Sequence, residues 1–187
     1  MEIKGKTIKL KKELNELDKF LLKFLKILEK HFEYVIVSGY VALLFGRARM
    51  TEDIDILIKL EEKKFKKFWK EVNKNFYCLN AGDEKEALEN LKEGISLRFS
   101  EKKNIIPNIE MKACKKQIEF IALNERIEVI INSKKIFISP IELQIAYKEE
   151  ALKSEKDLED ALHLRKVFEN FINEEKIKEY KKMIKHG

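Results

Sequence analysis

At 187 residues the chain is about one domain's worth, with room for one sizeable core and a small helical appendage. Charged residues reach 39%, mostly lysine set against glutamate, while glycine and proline are scarce, which argues against disorder and low-complexity linkers. The formal charge of +6 suits contact with polyanions, and an evenly spread lysine surface accounts for it as well.

Leu10, Leu14, Leu17, Leu21, Phe24 and Leu28 recur at three- and four-residue steps, predicting an amphipathic N-terminal helix. "YVIVSG" (34–39) reads as a β-branched strand ending in glycine, "YVALLFG" as a helix start, and "DIDILIK" (53–59) as a strand alternating acid with isoleucine. Phe65, Phe68, Trp69, Val72 and Phe76 mark a second helix face, followed by the polar connection "NAGDEKEALEN". "GISLRFS" (94–100) and "NIIPNIEMKA" (104–113) alternate as strands, and residues 126–139 have the shape of a hairpin.

The character changes at Ser139. "SPIE" offers an N-cap serine and a proline in the first helical position, opening a helix to about Leu152. Ser154 begins another helix, whose face is Leu158, Leu162, Arg165, Phe168 and Ile172, and Ile177, Tyr180 and Ile184 trace the last. The expected architecture is α/β (α+β): a mixed-sheet core with an N-terminal helix over 1–139, and a helical segment over 140–187 packed on it. Two distant cysteines and three scattered histidines build neither a zinc site nor a disulfide framework, so a reducing, cytoplasmic setting is expected. The longest apolar run (34–46) is too short to span a bilayer, and the amino terminus lacks a signal-peptide core.

Asp53 and Asp55, two apart on a strand, project from one face about 6 to 7 Å apart. Two carboxylates brought to about 4 Å repel by roughly 4 kcal/mol at an effective dielectric near 20, a cost that protonation or a cation relieves. Magnesium takes hard oxygen ligands and bridges them to substrate phosphates. Glu110, on the alternating strand "NIEMK", is the candidate third acid of a two-metal clamp. Gly39, between strand and helix, lies where backbone N–H groups attract phosphate, and Arg47 and Arg49 can reach the same anion.

Plainer readings stand beside these. A solvent-facing strand end accounts for an isolated Asp-x-Asp, and the polar face of an edge strand for Glu110. Lys148, on an arc with Ile141, Ile145 and Leu152, could snorkel along that face. Asp157 sits three after Ser154, as a capping residue does, and Asp160 beside Lys156 is explained as a solvated acid.

Taken together, "SGYVALLFGRARMTEDIDI", "NIEMK" and "LQIAYKEEALKSEKDLEDALHL" resemble the nucleotidyltransferase superfamily of polymerase-β-like fold, and more closely its AbiEii-like and related prokaryotic group, over residues 34–170. The resemblance implies that Ser38, Gly39 and Tyr40 cradle a nucleoside triphosphate and that Asp53 and Asp55 bind two magnesium ions, with Glu110 as the third acid. It further implies that Lys148 is aimed at the nucleotide and that Asp157 and Asp160 are the acids of the following helix. Such proteins usually carry Gly or Ser after the turn glycine, where this chain has Tyr40. The implied activity is magnesium-dependent transfer of a nucleotidyl group to a hydroxyl on RNA, protein or a small molecule, and the resemblance permits an antitoxin-like protein partner. Two rival readings remain: a non-catalytic binding module that keeps the fold, and a basic nucleic-acid-binding protein whose acids are incidental.

Overall fold

The computed structural model describes residues 1–48, 50–102 and 104–186. Its spine is a nine-stranded mixed sheet of β1 (Glu2–Lys4), β2 (Thr7–Leu10), β3 (Tyr34–Val37), β4 (Asp53–Ile58), β5 (Phe76–Cys78), β6 (Leu97–Glu101), β7 (Asn108–Ala113), β8 (Ile127–Ile131) and β9 (Lys134–Ile138). They lie in the order β1-β2-β8-β9-β3-β4-β7-β6-β5. At the centre, β4 runs antiparallel to β3 and parallel to β7, which sets Asp55 beside both Val37 and Glu110. β6 continues antiparallel on the far side of β7 and places Arg98 beside Glu110.

The period-two alternation of these strands sorts side chains between two faces. Ile54, Ile109 and Phe99 are register neighbours and fully buried on one face. Over that face lie α1 (Glu16–Leu28) and α3 (Glu62–Val72), whose Phe24 and Phe68 meet Phe99 with ring centroids 5.5 and 5.9 Å away. Such tilted and edge-on aromatic pairs add to the area they bury. Asp55, Glu110 and Arg98 project from the opposite face, which looks toward α5 (Gln117–Asn124) and α6 (Ile141–Tyr147) across a cleft.

Several boundaries differ from expectation. The N-terminal helix does not begin at Leu10: residues Thr7–Leu10 pair in parallel with β8, and the helix opens at Asn15. Asn15 Oδ1 accepts from the Asp18 N–H at 2.8 Å and Asp18 Oδ2 accepts from the Asn15 N–H at 3.0 Å, a reciprocal box that fixes the start. Phe76 belongs to β5, not to α3, which ends at Val72. The polar connection contains a helix, α4 (Glu84–Glu93), capped by Asp83 and stopped by Gly94 at φ 89°. It buries only Ala87 and Leu91, so its apolar periodicity is faint. α5 was not anticipated either; Glu119 Oε2 accepts from the N–H groups of Lys115 and Lys116 at 2.7 and 3.0 Å and so begins it.

Beyond β9 the chain is helical. α6 follows Pro140 without a cap from Ser139, whose N–H instead donates to Ile36 O. It passes into a π-helical turn, Lys148–Leu152, with the Lys153 N–H donating to Lys148 O. Helices α7 (Glu155–Val167, capped by Ser154) and α8 (Glu174–His186) complete the segment. Ile141, Leu143, Ile145, Leu164, Phe168, Ile177 and Tyr180 are buried in the same apolar cluster as the sheet. Between β3 and β4, α2 (Gly39–Leu44) is short and buried. Among the described residues, no helix is long and apolar enough to cross a membrane.

Candidate active site

The cleft encloses about 220 Å³. Its floor is Asp55, Leu57, Glu110 and Lys112 from the sheet, and its far wall is Ile118 and Glu119 of α5 with Leu143, Gln144, Tyr147 and Lys148 of α6 and the π-helical turn. Ser38 and Ser139, at the ends of β3 and β9, close one side. The lining is mostly apolar with a few polar and charged side chains among it, the composition of a small-molecule site.

The Asp55 carboxyl is the group most altered by this setting. Burial pushes its pKa up from 3.8 to about 6; the charges of Glu110 and Asp53 push the same way, while a hydrogen bond from the Ser38 hydroxyl and the charge of Lys148 oppose them. Glu110 is bound by Arg98, with Nη2 2.5 Å from Oε1. Asp53, at the exposed start of β4, does not line the cleft; Asn108 Nδ2 donates to its Oδ1 at 2.7 Å. Asp55 and Glu110 therefore meet in the cleft, and Asp53 stands at its rim.

Among the described residues, no group of three or more His, Cys, Asp or Glu side chains is arranged to hold a metal ion. The Asp55–Glu110 pair nonetheless suits a hard cation. Magnesium is commonly held by one or two carboxylates and completes its shell with substrate phosphates and water. Two register-paired acids, one driven toward protonation mainly by burial and further by the charge of the other, make such a donor set.

Ser38 has φ 64° and ψ −140°, a backbone region that disfavours any residue with a Cβ and costs of the order of 1–3 kcal/mol. Its N–H donates to Gln144 Oε1 at 3.2 Å, and Gln144 Nε2 donates to Ser139 Oγ at 2.6 Å. Gly39 begins α2 and is buried. The Tyr40 ring does not line the cleft: it is buried away from it, and its hydroxyl donates to Asp18 Oδ1 at 2.7 Å. Only its backbone is left to face a phosphate.

Lys148 is almost fully buried, at 1% exposure, and is not a snorkelling surface lysine. Its Nζ donates to Asp160 Oδ2 at 2.9 Å and Asp157 Oδ1 at 3.2 Å. Asp160 is buried and also receives Arg47, whose Nε lies 3.5 Å from Oδ1, while Asp157 additionally meets the capping Ser154. Arg47 is thereby drawn to α7, where it also pairs with Glu159. Arg49 lies outside the described residues.

Three polar residues around this site were missed in the sequence: Asn108, Arg98 and Gln144. Asn108 stands two before Glu110 on the same strand face, so the alternation that selected Glu110 also marks it. Gln144 stands four before Lys148, one helical turn back. For Arg98 the only signal was its place opposite the apolar face of β6.

No protein-family model matches the chain, and no curated protein matches it. Solved structures do. An antigenic nucleotidyltransferase-like protein from Paracoccidioides brasiliensis superposes with a TM-score of 0.53 at 15% identity, covering 87% of this chain and 83% of that one. The antibiotic-resistance factor ANT(2'')-Ia superposes with a TM-score of 0.53 at 12% identity, covering 92% and 94%. These likenesses reach the fold and not the narrower AbiEii-like group. The mixed sheet, with its acids on the face turned to the C-terminal helices, is a nucleotidyltransferase-like fold.

Proposed function

We propose that the protein is a magnesium-dependent nucleotidyltransferase that moves a nucleoside monophosphate from a triphosphate to a hydroxyl on RNA, protein or a small molecule. The observation that carries this reading is the Asp55–Glu110 pair at the floor of a cleft, beside the strained Ser38 turn, on this fold. Asp53, Asp55 and Glu110 would hold the cations. Bound magnesium would supply charge neutralisation at the α-phosphate and lower the pKa of the attacking hydroxyl.

The chain's own groups divide the remaining work. Ser38 lies beside Asp55 in the cleft lining, where its hydroxyl favours the ionised carboxylate. Gly39 and Tyr40 open α2, where first-turn N–H groups have no partner inside a helix and are available to phosphate oxygens. Lys148 brings one positive charge to the buried end of the cleft, with Asp157 and Asp160 holding its ammonium in place. Arg49 is assigned to the same anion from its place in the sequence. Arg98 and Asn108 are the groups that Glu110 and Asp53 must exchange for a cation.

Incubation with each radiolabelled triphosphate, magnesium and a set of acceptors (total RNA, protein, small polyhydroxylated molecules) tests the reading. Label transfer that is lost in Asp55→Asn is expected; absence of any triphosphate binding, or binding indifferent to Asp55, overturns it. The contacts of Arg98 and Asn108 with two of the three acids favour one alternative, a binding module without turnover. That alternative predicts magnesium-dependent binding and no labelled product.

A further inference from the structure

We propose that Gln144 is a positioning residue of the cleft: anchored on Ser139, its side chain holds the Ser38–Gly39 turn in the conformation that presents the Ser38 hydroxyl to Asp55. Nothing in the resemblance or in the likenesses assigns a role to this residue. Its claim to one is geometric. Gln144 is buried at 5% exposure in the first turns of α6, and both ends of its amide are engaged, Oε1 by the Ser38 N–H and Nε2 by Ser139 Oγ. Ser139 is itself fixed at 1% exposure, with its N–H joined to Ile36 O at the end of β3. The amide therefore bridges the ends of two adjacent parallel strands, β3 and β9.

A bridge is needed there because Ser38 occupies a backbone region that serine avoids. Such conformations persist only where surrounding contacts over-determine them. One hydrogen bond does so, from the backbone N–H to the Gln144 carbonyl, and the side chain stands beside Asp55 in the cleft lining. Without that bond, the turn can relax to an ordinary extended conformation, which swings the hydroxyl away from Asp55 and re-aims the Gly39 and Tyr40 N–H groups. A residue that touches no reacting atom thus sets the shape of the one turn proposed to face phosphate. α6 delivers Gln144 one helical turn before Lys148, which opens the π-helical turn continuing it, so one unbroken helical stretch both aligns the turn and supplies the buried cation.

The holding role is independent of the proposed chemistry, and its effect on substrate rests on the nucleotidyl-transfer reading, so two measurements separate them. In Gln144→Met, which keeps bulk and loses the acceptor, hydrogen exchange at the Ser38 amide is expected to accelerate about tenfold, the loss of one buried hydrogen bond. Amides of Tyr34–Val37 should be unaffected, and Gln144→Glu, which keeps an acceptor, should restore slow exchange. Should Gln144→Met not fold, Ser139→Ala, which frees the anchoring end, is expected to show the same local acceleration to a smaller degree. Unaltered Ser38 exchange in the folded variant overturns the proposal. In the second measurement, magnesium-dependent triphosphate binding is expected to weaken about tenfold in Gln144→Met and less in Ser139→Ala. Equal affinity in wild type and variants overturns the turn's role in seating phosphate. A wild-type protein that binds no triphosphate counts against the nucleotidyl-transfer reading, and the exchange result alone then decides the role of Gln144.

Discussion

Asp55 carries an electrostatic cost that the folded protein tolerates. Its carboxyl titrates near 6 in the fold, against 3.8 for a solvated side chain. Between those values the native state holds more proton than the unfolded chain, so stability falls as pH rises through the window, and the full cost is present above about pH 6. Asp55→Asn is therefore expected to be more stable than wild type near pH 7.5, by on the order of 2 kcal/mol, with the gain fading toward pH 4. Denaturant melts at several pH values check this, and a destabilised variant at neutral pH contradicts it. Tyr40 is the opposite case, a residue placed in the phosphate turn by resemblance and found serving the core. Burial and the neighbouring Asp18 charge raise its hydroxyl pKa, so it remains a donor to Asp18. Tyr40→Phe is expected to cost about 1–2 kcal/mol of stability while leaving triphosphate affinity unchanged, as calorimetry and binding titration on one preparation would establish.

Which elements were readable in the sequence follows from how much of each is buried on one side. β4 and β7 alternate because one face meets the aromatic layer and the other meets the cleft, β3 reads as a short apolar run because nearly all of it is buried, and α7 announced itself through Ser154 although Leu158 and Leu162 of its expected face are exposed. The same alternation that placed Asp55 and Glu110 on one face could not reveal strand order, so Arg98 beside Glu110 and Asn108 beside Asp53 emerge only from pairing. α4 stayed hidden because two buried residues make no stripe, and β2 because Leu10 fits a helical spacing that Asn15 interrupts. The capping box at Asn15 decides that boundary. Asn15→Ala is expected to lower stability by about 1 kcal/mol and to raise hydrogen exchange in the first turn of α1 ahead of the rest of the helix; uniform exchange across α1 would argue that packing alone sets its start.

For the molecule as a whole, the change of character at Ser139 marks a switch of secondary structure within one core. The buried faces of α6, α7 and α8 belong to the cluster that also holds Ile36, Ile56 and Ile138. A fragment of residues 1–139 is accordingly expected to aggregate or remain molten, and the full chain to unfold in one transition with coincident fluorescence and circular-dichroism curves. Two separated transitions would instead indicate an independent C-terminal unit.

The cleft also imposes an order in time. Its floor comes from β4 and β7, but Gln144 and Lys148 are translated only after all nine strands. A nascent chain paused before them would carry the acids with no turn held and no buried ammonium opposite. A chain that stops short of Gln144 has the acidic floor of the cleft without most of its far wall.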